Sequence, residues 1–344
     1  MNVGIIGAGK RMRTMFVPIL RSLGNDYNLV GFTSRSQKTR DDVQSSMGIR
    51  SFTSIKDLAK ECDALIICVK PEAAGDVLKQ ASQFCLPMLT ETPTMDPSVL
   101  GYEGNNEIAV IEQWPFLPLE RFKKMVIDSG SLGKIRYVEN DFRTFDYHGI
   151  AQLRSYLGFA KPTELFSRSI QNSVSSGKIS ETPKLTSEQW DVCTISFPDA
   201  LCLHKFSYNY KVSENRFPQS LRVFGETGNI VSMCWKNKSD DFEMMSLTNV
   251  RLGNLRRDDI NVERSSSGSV IKITGGNFTW VNPYPDLGDH ESAIAHHFTA
   301  LKNCVHTGSP LLYSYQEGLI DYTIFSAMRQ SQVTGVIKFS GGNQ

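Results

Sequence analysis

Over residues 1–115, short unbroken apolar runs alternate with segments whose apolar positions recur at helical spacing. "NVGIIG" (2–7), "YNLVGFTS" (27–34), "DALIICV" (63–69), "PMLTE" (87–91) and "EIAVIEQ" (107–113) read as strands. Their apolar residues are largely consecutive rather than alternating, as in strands covered on both faces. Between them, "KRMRTMFVPILRSLG" (10–24) carries Met12, Phe16, Ile19, Leu20 and Leu23 at helical spacing and stops at Gly24. Pro18 lies inside that helix and is expected to kink it. "SQKTRDDVQSSMG" (36–48), "SIKDLAKE" (54–61) and "PEAAGDVLKQASQF" (71–84) complete the helical set, the last with Pro71 in its first turn. Strands alternating with helices predict a parallel sheet with helices on both faces.

Past residue 117 the period changes. "LPLERFKKMVIDSG" and "HGIAQLRSYLG" read as helices, whereas "WDVCTISF", "ALCLHKFSYNY", "QSLRVFG", "NIVSMCW" and "SVIKITG" alternate polar and apolar residues. Such runs predict one open, mostly antiparallel sheet, with Tyr208 and Tyr210 on a shared face. Two helices, 289–308 and 315–331, close the chain. A chain of 344 residues exceeds one ordinary core. The expected class is α/β in two parts: an N-terminal Rossmann domain, 1–117, and a C-terminal α/β domain, 118–344.

Charge and cysteine usage remove several functions. The 37 basic and 36 acidic residues leave a net charge of +1, so no global field recruits nucleic acid or an anionic membrane. No run approaches the roughly 18 apolar residues of a membrane span. Gly7 and Gly9 interrupt the first apolar run too early for a signal peptide. The seven cysteines are scattered without a CxxC, which suits a reducing cytoplasm. His290, His296 and His297 are crowded, but adjacent helical positions diverge and no matching Cys or acid spacing accompanies them. No metal site is expected.

The turn after the first strand carries the chemistry. Gly7-Ala8-Gly9 opens a helix, where missing side chains let a pyrophosphate reach the backbone N–H groups. Lys10, Arg11 and Met12 continue the turn, Met12 standing where a third glycine is usual. At the end of the second strand, an acid would accept hydrogen bonds from a ribose 2′-OH. The sequence there is instead Ser34-Arg35-Ser36, suited to a 2′-phosphate. NADP(H) is therefore favoured, with NAD(H) as the alternative. Lys38 and Arg40 follow on a polar helix and read as solvated surface.

With these features, "LTETP" (89–93), "SGSLGKIRYV" (129–138) and "HTGSPLLYSYQEGLIDYTIFSAMRQS" (306–331) make the chain resemble the glucose–fructose oxidoreductase, inositol dehydrogenase and MocA family. That resemblance implies a small-molecule substrate, a homodimer or higher homo-oligomer, and a site built on Glu-Lys-Pro and Asp-x-x-x-His. Glu91 and Pro93 match the triplet, but Thr92 replaces its lysine. His148 matches the histidine, and Thr144 replaces the aspartate four residues earlier. Val69, Lys70 and Pro71 at the fourth strand's end, with Glu91, Thr92 and Pro93 at the fifth's, are the further cofactor contacts expected.

Threonine cannot serve as acid or base near neutral pH, so alcohol oxidation by the family's lysine is not available. Reduction needs only one proton donor. This points to a reductase with His148 as its acid, Lys70 and Thr92 beside it, and Trp114, Tyr147 and Arg154 as substrate contacts. Each has a plainer reading: His148 as a hydrogen-bonded structural residue, Lys70 as a solvated lysine, Arg154 as a surface ion pair, Trp114 as hinge packing. The competing reading of the whole chain is a non-catalytic dinucleotide-binding regulator or scaffold.

Overall fold

The computed structural model describes residues 1–105, 107–142, 145–173, 187–207, 219–236, 241–251 and 254–339. Thr144, Tyr208 and Tyr210 lie outside the described residues. The N-terminal strands β1 (Asn2–Ile6), β2 (Asn28–Thr33), β3 (Ser51–Phe52), β4 (Ala64–Ile67), β5 (Met88–Thr90) and β6 (Ile108–Val110) form one sheet in the order β3-β2-β1-β4-β5-β6. Its pairings are all parallel. β4, β5 and β6 are buried at every position, which is why their runs do not alternate.

The helices are set by local signals. α1 (Val17–Ser22) is preceded by a π-helical turn, Met12–Phe16, with the Val17 N–H bonded to the Met12 carbonyl. The irregularity expected at Pro18 takes this form: proline lacks an N–H and crowds the preceding turn, and a wider turn relieves that crowding. α2 (Gln37–Met47) starts at Ser36, whose hydroxyl accepts from the Thr39 N–H at 3.3 Å, and ends at Gly48 in the left-handed region. α3 (Ile55–Ala59) is capped in the same way by Ser54, and α4 (Pro71–Ser82) opens on proline.

The chain divides into two compact units. The first holds Met1–Leu117, Ser265–Ser269 and Pro283–Tyr322; the second holds Pro118–Arg264, Val270–Asn282 and the chain from Thr323 on. Residues 283–322 thus leave the continuous second domain, 118–344, that sequence suggests. The cause is apolar. Ile294, Ala295, Phe298 and Leu301 share a core with Val3, Ile5, Phe16 and Ile66, and the Phe298 ring meets Phe16 edge-on at 5.6 Å.

The second unit begins with α5 (Pro118–Asp128), β7 (Ile135–Phe142) and α6 (Asp146–Tyr156). Strands β8 (Glu164–Ser173), β9 (Ser187–Ser196), β10 (Leu201–Ser207), β11 (Gln219–Gly225), β12 (Gly228–Lys236), β13 (Asp241–Arg251), β14 (Asn254–Arg264), β15 (Val270–Gly275) and β16 (Phe278–Val281) follow. In the first unit come α7 (Asp289–Thr307) and the start of α8 (Tyr315–Thr334); β17 (Ile337–Lys338) ends the described chain. The large sheet runs β16-β15-β14-β13-β12-β11-β7-β10-β9-β8-β17. Its pairings are antiparallel except β7 with β10, and α6 packs on those two strands. The fold is mixed α/β, with a Rossmann sheet and a mostly antiparallel second sheet.

Candidate cofactor site

A cleft of about 840 Å³ opens in the first unit where β1, β2, β3 and β4 end. This is where open α/β sheets receive ligands. Gly7 and Gly9 line it for different reasons. Gly7 has φ +113, donates its N–H to the Thr33 carbonyl at 2.8 Å, and leaves no room for a Cβ, which would stand 2.1 Å from the Cys68 carbonyl oxygen. It is a packing glycine that lets β1 turn against β4. A Cβ on Gly9 would meet nothing within 4 Å, so its backbone is open to the cleft. These residues fit a dinucleotide: the cradle exists, and a side chain at Gly9 would fill it.

The end of β2 is rich in donors. Ser34, Arg35 and Ser36 line the cleft, as do Arg40 and Lys56. Arg35 and Lys56 are exposed, but Arg40 is buried, contrary to its reading as solvated surface. Its guanidinium donates to the Ser34 carbonyl and to Gln37, so the turn after β2 is built around it. Among the described lining residues the one carboxylate is Asp76, on α4. Lys56 was not singled out from sequence. Its signal was the Ser54 cap right after β3, since a strand beside β2 brings its end to the same rim.

At β4, Val69 and Lys70 line the cleft and Lys70 is exposed, whereas Lys10, Arg11, Met12, Pro71, Glu91, Thr92 and Pro93, expected as contacts, do not line it. Met12 is fully buried in the core with Phe16, because the π-helical turn directs it inward. Cys68, also on the lining, has its thiol pushed up to about 12 by burial, with Glu91 adding to the rise, so it stays protonated. At the end of β5, Thr92 and Pro93 are partly buried. The Glu91 carboxylate accepts from Arg11 Nε at 2.6 Å, and Arg11 Nη2 donates to Gln113 Oε1, just past β6, at 2.9 Å. Sequence reading did not anticipate this pairing.

Residues 1–99 match the profile of the oxidoreductase family with an NAD-binding Rossmann fold, the GFO/IDH/MocA family. That N-terminal segment belongs to the family. No curated protein matches the chain by sequence. Solved structures share the fold over nearly the whole length. UDP-N-acetylglucosamine 3-dehydrogenase GnnA from Acidithiobacillus ferrooxidans aligns at 14% identity and TM-score 0.68, covering 97% of this chain and 98% of that one. An Agrobacterium radiobacter oxidoreductase in complex with NAD+, L-tartaric acid and magnesium aligns at 14% identity and TM-score 0.70, with 98% of each covered. A Desulfitobacterium hafniense oxidoreductase assigned as NADPH-dependent aligns at 13% and 0.69, covering 98% and 97%.

Thr92 offers no titratable side chain, so the titratable residues elsewhere carry more weight. In the second unit, His148 is buried on α6, its ring centroid 4.4 Å from that of Tyr147. Tyr147 in turn stacks on the exposed Phe145 and meets Phe325 edge-on. Arg154 is fully buried and is no surface ion pair. Its Nε and Nη2 donate to the carbonyls of Ala160 and Phe159, fixing the left-handed turn at Gly158 and Phe159 that ends α6. His204 was missed from sequence. It lies wholly buried on β10 with Nδ1 2.7 Å from Asn140 Oδ1, and burial holds its pKa down at about 4.

Three of the first unit's four histidines pack against aromatic rings. His290 meets Trp114, His296 meets Tyr284 and His297 meets Phe116, each ring edge-on to its neighbour. Trp114 itself is buried, its backbone N–H donating to Glu112 Oε1 at 3.0 Å. Among the described residues no group of three metal-ligating side chains comes together. No helix among them is long and apolar enough to cross a membrane.

Proposed function

We propose that this protein is an NADP(H)-dependent oxidoreductase that reduces a small polar metabolite: a sugar, a sugar nucleotide or a biosynthetic intermediate. The cofactor choice rests on one observation. Arg35 stands exposed on the cleft at the end of β2, where Arg40 orders the turn and no carboxylate waits for a ribose hydroxyl. When bound, the cofactor supplies hydride chemistry at its nicotinamide ring. The chain holds the dinucleotide along Gly7, Gly9 and the turn from Ser34 to Ser36. Thr92 cannot move a proton, so the proton is assigned to His148, an imidazole being the side chain suited to that task near neutral pH. Tyr147 and Trp114 are its proposed substrate contacts. A reducing cytoplasm suits the described cysteines, all free thiols, and the family resemblance suggests a homodimer or higher homo-oligomer.

Titration of the purified protein with NADPH and NADH tests the reading. NADPH is expected to bind about tenfold more tightly, with Arg35→Ala abolishing the difference. Equal weakening of both nucleotides by Arg35→Ala would refute the preference, and binding of neither would refute the oxidoreductase. One observation favours a second reading, a non-catalytic dinucleotide-binding regulator: the triplet's lysine is replaced by Thr92, and Glu91 is occupied by Arg11. NADPH binding without turnover of any carbonyl or imine in a broad panel would support it.

A further inference from the structure

β2 and β3 lie side by side and parallel, with Thr33 opposite Phe52 and the Thr33 hydroxyl donating to the Phe52 carbonyl at 2.9 Å. The chain therefore leaves both strands at one level. The residues that follow line the same cleft: Ser34, Arg35 and Ser36 after β2, and Thr53, Ser54, Ile55 and Lys56 after β3. Arg35 and Lys56 are both exposed there, and among the described residues neither makes an ion pair. The acids nearest Lys56 in the chain are engaged elsewhere. Asp57 accepts from the Ser54 hydroxyl at 2.7 Å and meets Lys60 at 3.6 Å, and Glu61 holds Arg50. The Ser54 oxygen also accepts from the Asp57 N–H at 3.1 Å, so the path of the chain out of β3 is set locally. The strand order decides what Lys56 can meet. Neighbouring strands lie about 4.8 Å apart, which puts β3 about 10 Å from β1 and its glycine turn, where a pyrophosphate belongs. β2, directly beside β3, ends where the adenosine ribose is received. A 2′-phosphate on that ribose is a monoester with a charge of about −1.5 to −2 near neutral pH. One guanidinium leaves part of that charge unmatched.

We propose that Lys56 is the second cation of a 2′-phosphate site, meeting from the end of β3 the charge that Arg35 leaves unmatched at the end of β2. The two side chains contribute differently. The guanidinium is a flat fork that seats the phosphate oxygens, whereas the ammonium is a compact point charge on a flexible stem. Lys56 therefore depends on Arg35, because an exposed lysine gains little from holding one position unless a phosphate is already seated beside it. The assignment of Lys56 rests on the NADP(H) reading above.

Titration with NADPH, NADH, adenosine 2′,5′-bisphosphate and adenosine 5′-monophosphate reports it without any substrate. Lys56→Met is expected to weaken NADPH by about threefold and to leave NADH in place. Adenosine 2′,5′-bisphosphate should weaken by the same factor while adenosine 5′-monophosphate does not, which confines the effect to the added phosphate. Lys56→Arg keeps the charge and should stay close to wild type. In an Arg35→Ala background, Lys56→Met should no longer distinguish NADPH from NADH. Weakening of NADPH and NADH together in Lys56→Met would make the lysine a support of the cleft and overturn the assignment. If Lys56→Met does not fold, Lys56→Gln decides in its place. Wild-type protein that binds neither dinucleotide, or binds both equally, overturns the NADP(H) reading and the role of Lys56 with it. A wild-type preference for NADPH that Arg35→Ala removes and Lys56→Met leaves intact overturns the assignment of Lys56 alone.

Discussion

At the end of β2, Arg35 is an exposed cation on the cleft and Arg40 is buried beneath its turn; the one carboxylate among the described lining residues, Asp76, stands on α4. Where β5 and β6 end, the charges are already matched: Glu91 holds Arg11, and Gln113 holds the same guanidinium. The two sides use similar residues for different ends. An unmatched cation is a site for an incoming anion, because its desolvation cost is met only when the ligand arrives. A matched pair presents a fixed surface with less call for an incoming anion. The glycine turn between them serves both, with Gly9 open to the cleft and Arg11 on the paired side.

Acid should separate the two sides most strongly. His297, behind β6, is wholly buried with Nε2 3.0 Å from the Glu112 carbonyl, and burial holds its pKa down at about 4. The unfolded chain would titrate it near 6.5. Between those values the unfolded state binds the extra proton, so this share of stability is present above pH 6.5 and is lost as pH falls towards 4. The loss reaches on the order of 3 kcal/mol at pH 4. The β2 side has no described histidine on the cleft lining. Denaturant unfolding at pH 7 and pH 5 is expected to show a smaller acid loss in His297→Gln than in wild type. His204 would account for part of what remains, having the same downward shift. Equal losses in wild type and variant would mean that His297 does not set the acid sensitivity of that side.

The parts readable from sequence are those whose cause is local. The unbroken run in β4, the serine caps of α2 and α3 and the glycines of the first turn each carry their reason within a few residues. What sequence could not supply depends on distant partners. Arg11 and Glu91 are 80 residues apart and meet only once β1 and β5 share a sheet. α7 looks like any closing helix until Phe298 is seen against Phe16. Arg40 sits on a polar helix, and nothing in its neighbours announces that its guanidinium turns under Ser34.

Arg40 also offers a sharper cut on the β2 side. Arg40→Met keeps the buried stem but removes the donors to the Ser34 carbonyl and Gln37. The turn that presents Arg35 loses its support, and binding of NADPH and NADH should weaken together, by about tenfold. This contrasts with Arg35→Ala, whose effect should fall on NADPH. Parallel titrations of the two variants distinguish a residue that shapes the turn from one that meets the phosphate. If Arg40→Met weakens NADPH alone, then Arg40 is itself a phosphate contact and the division between buried support and exposed ligand is wrong.

The smallest effect is expected at Lys70, which tests the other side. It is a cation at the end of β4, on the cleft lining, whereas Arg11 is bound to Glu91 and Gln113 off that lining. The two differ in setting: Lys70 is exposed, while Arg11 is clamped by two partners. An exposed ammonium is screened and pays entropy to hold one position, so its influence on a nearby ring is weak. Lys70→Met should therefore change the NADP+ to NADPH affinity ratio by less than about twofold. A larger shift at Lys70 would place an effective charge at the end of β4. The β4–β6 side would then resemble the β2 side, with an unmatched cation facing the ligand.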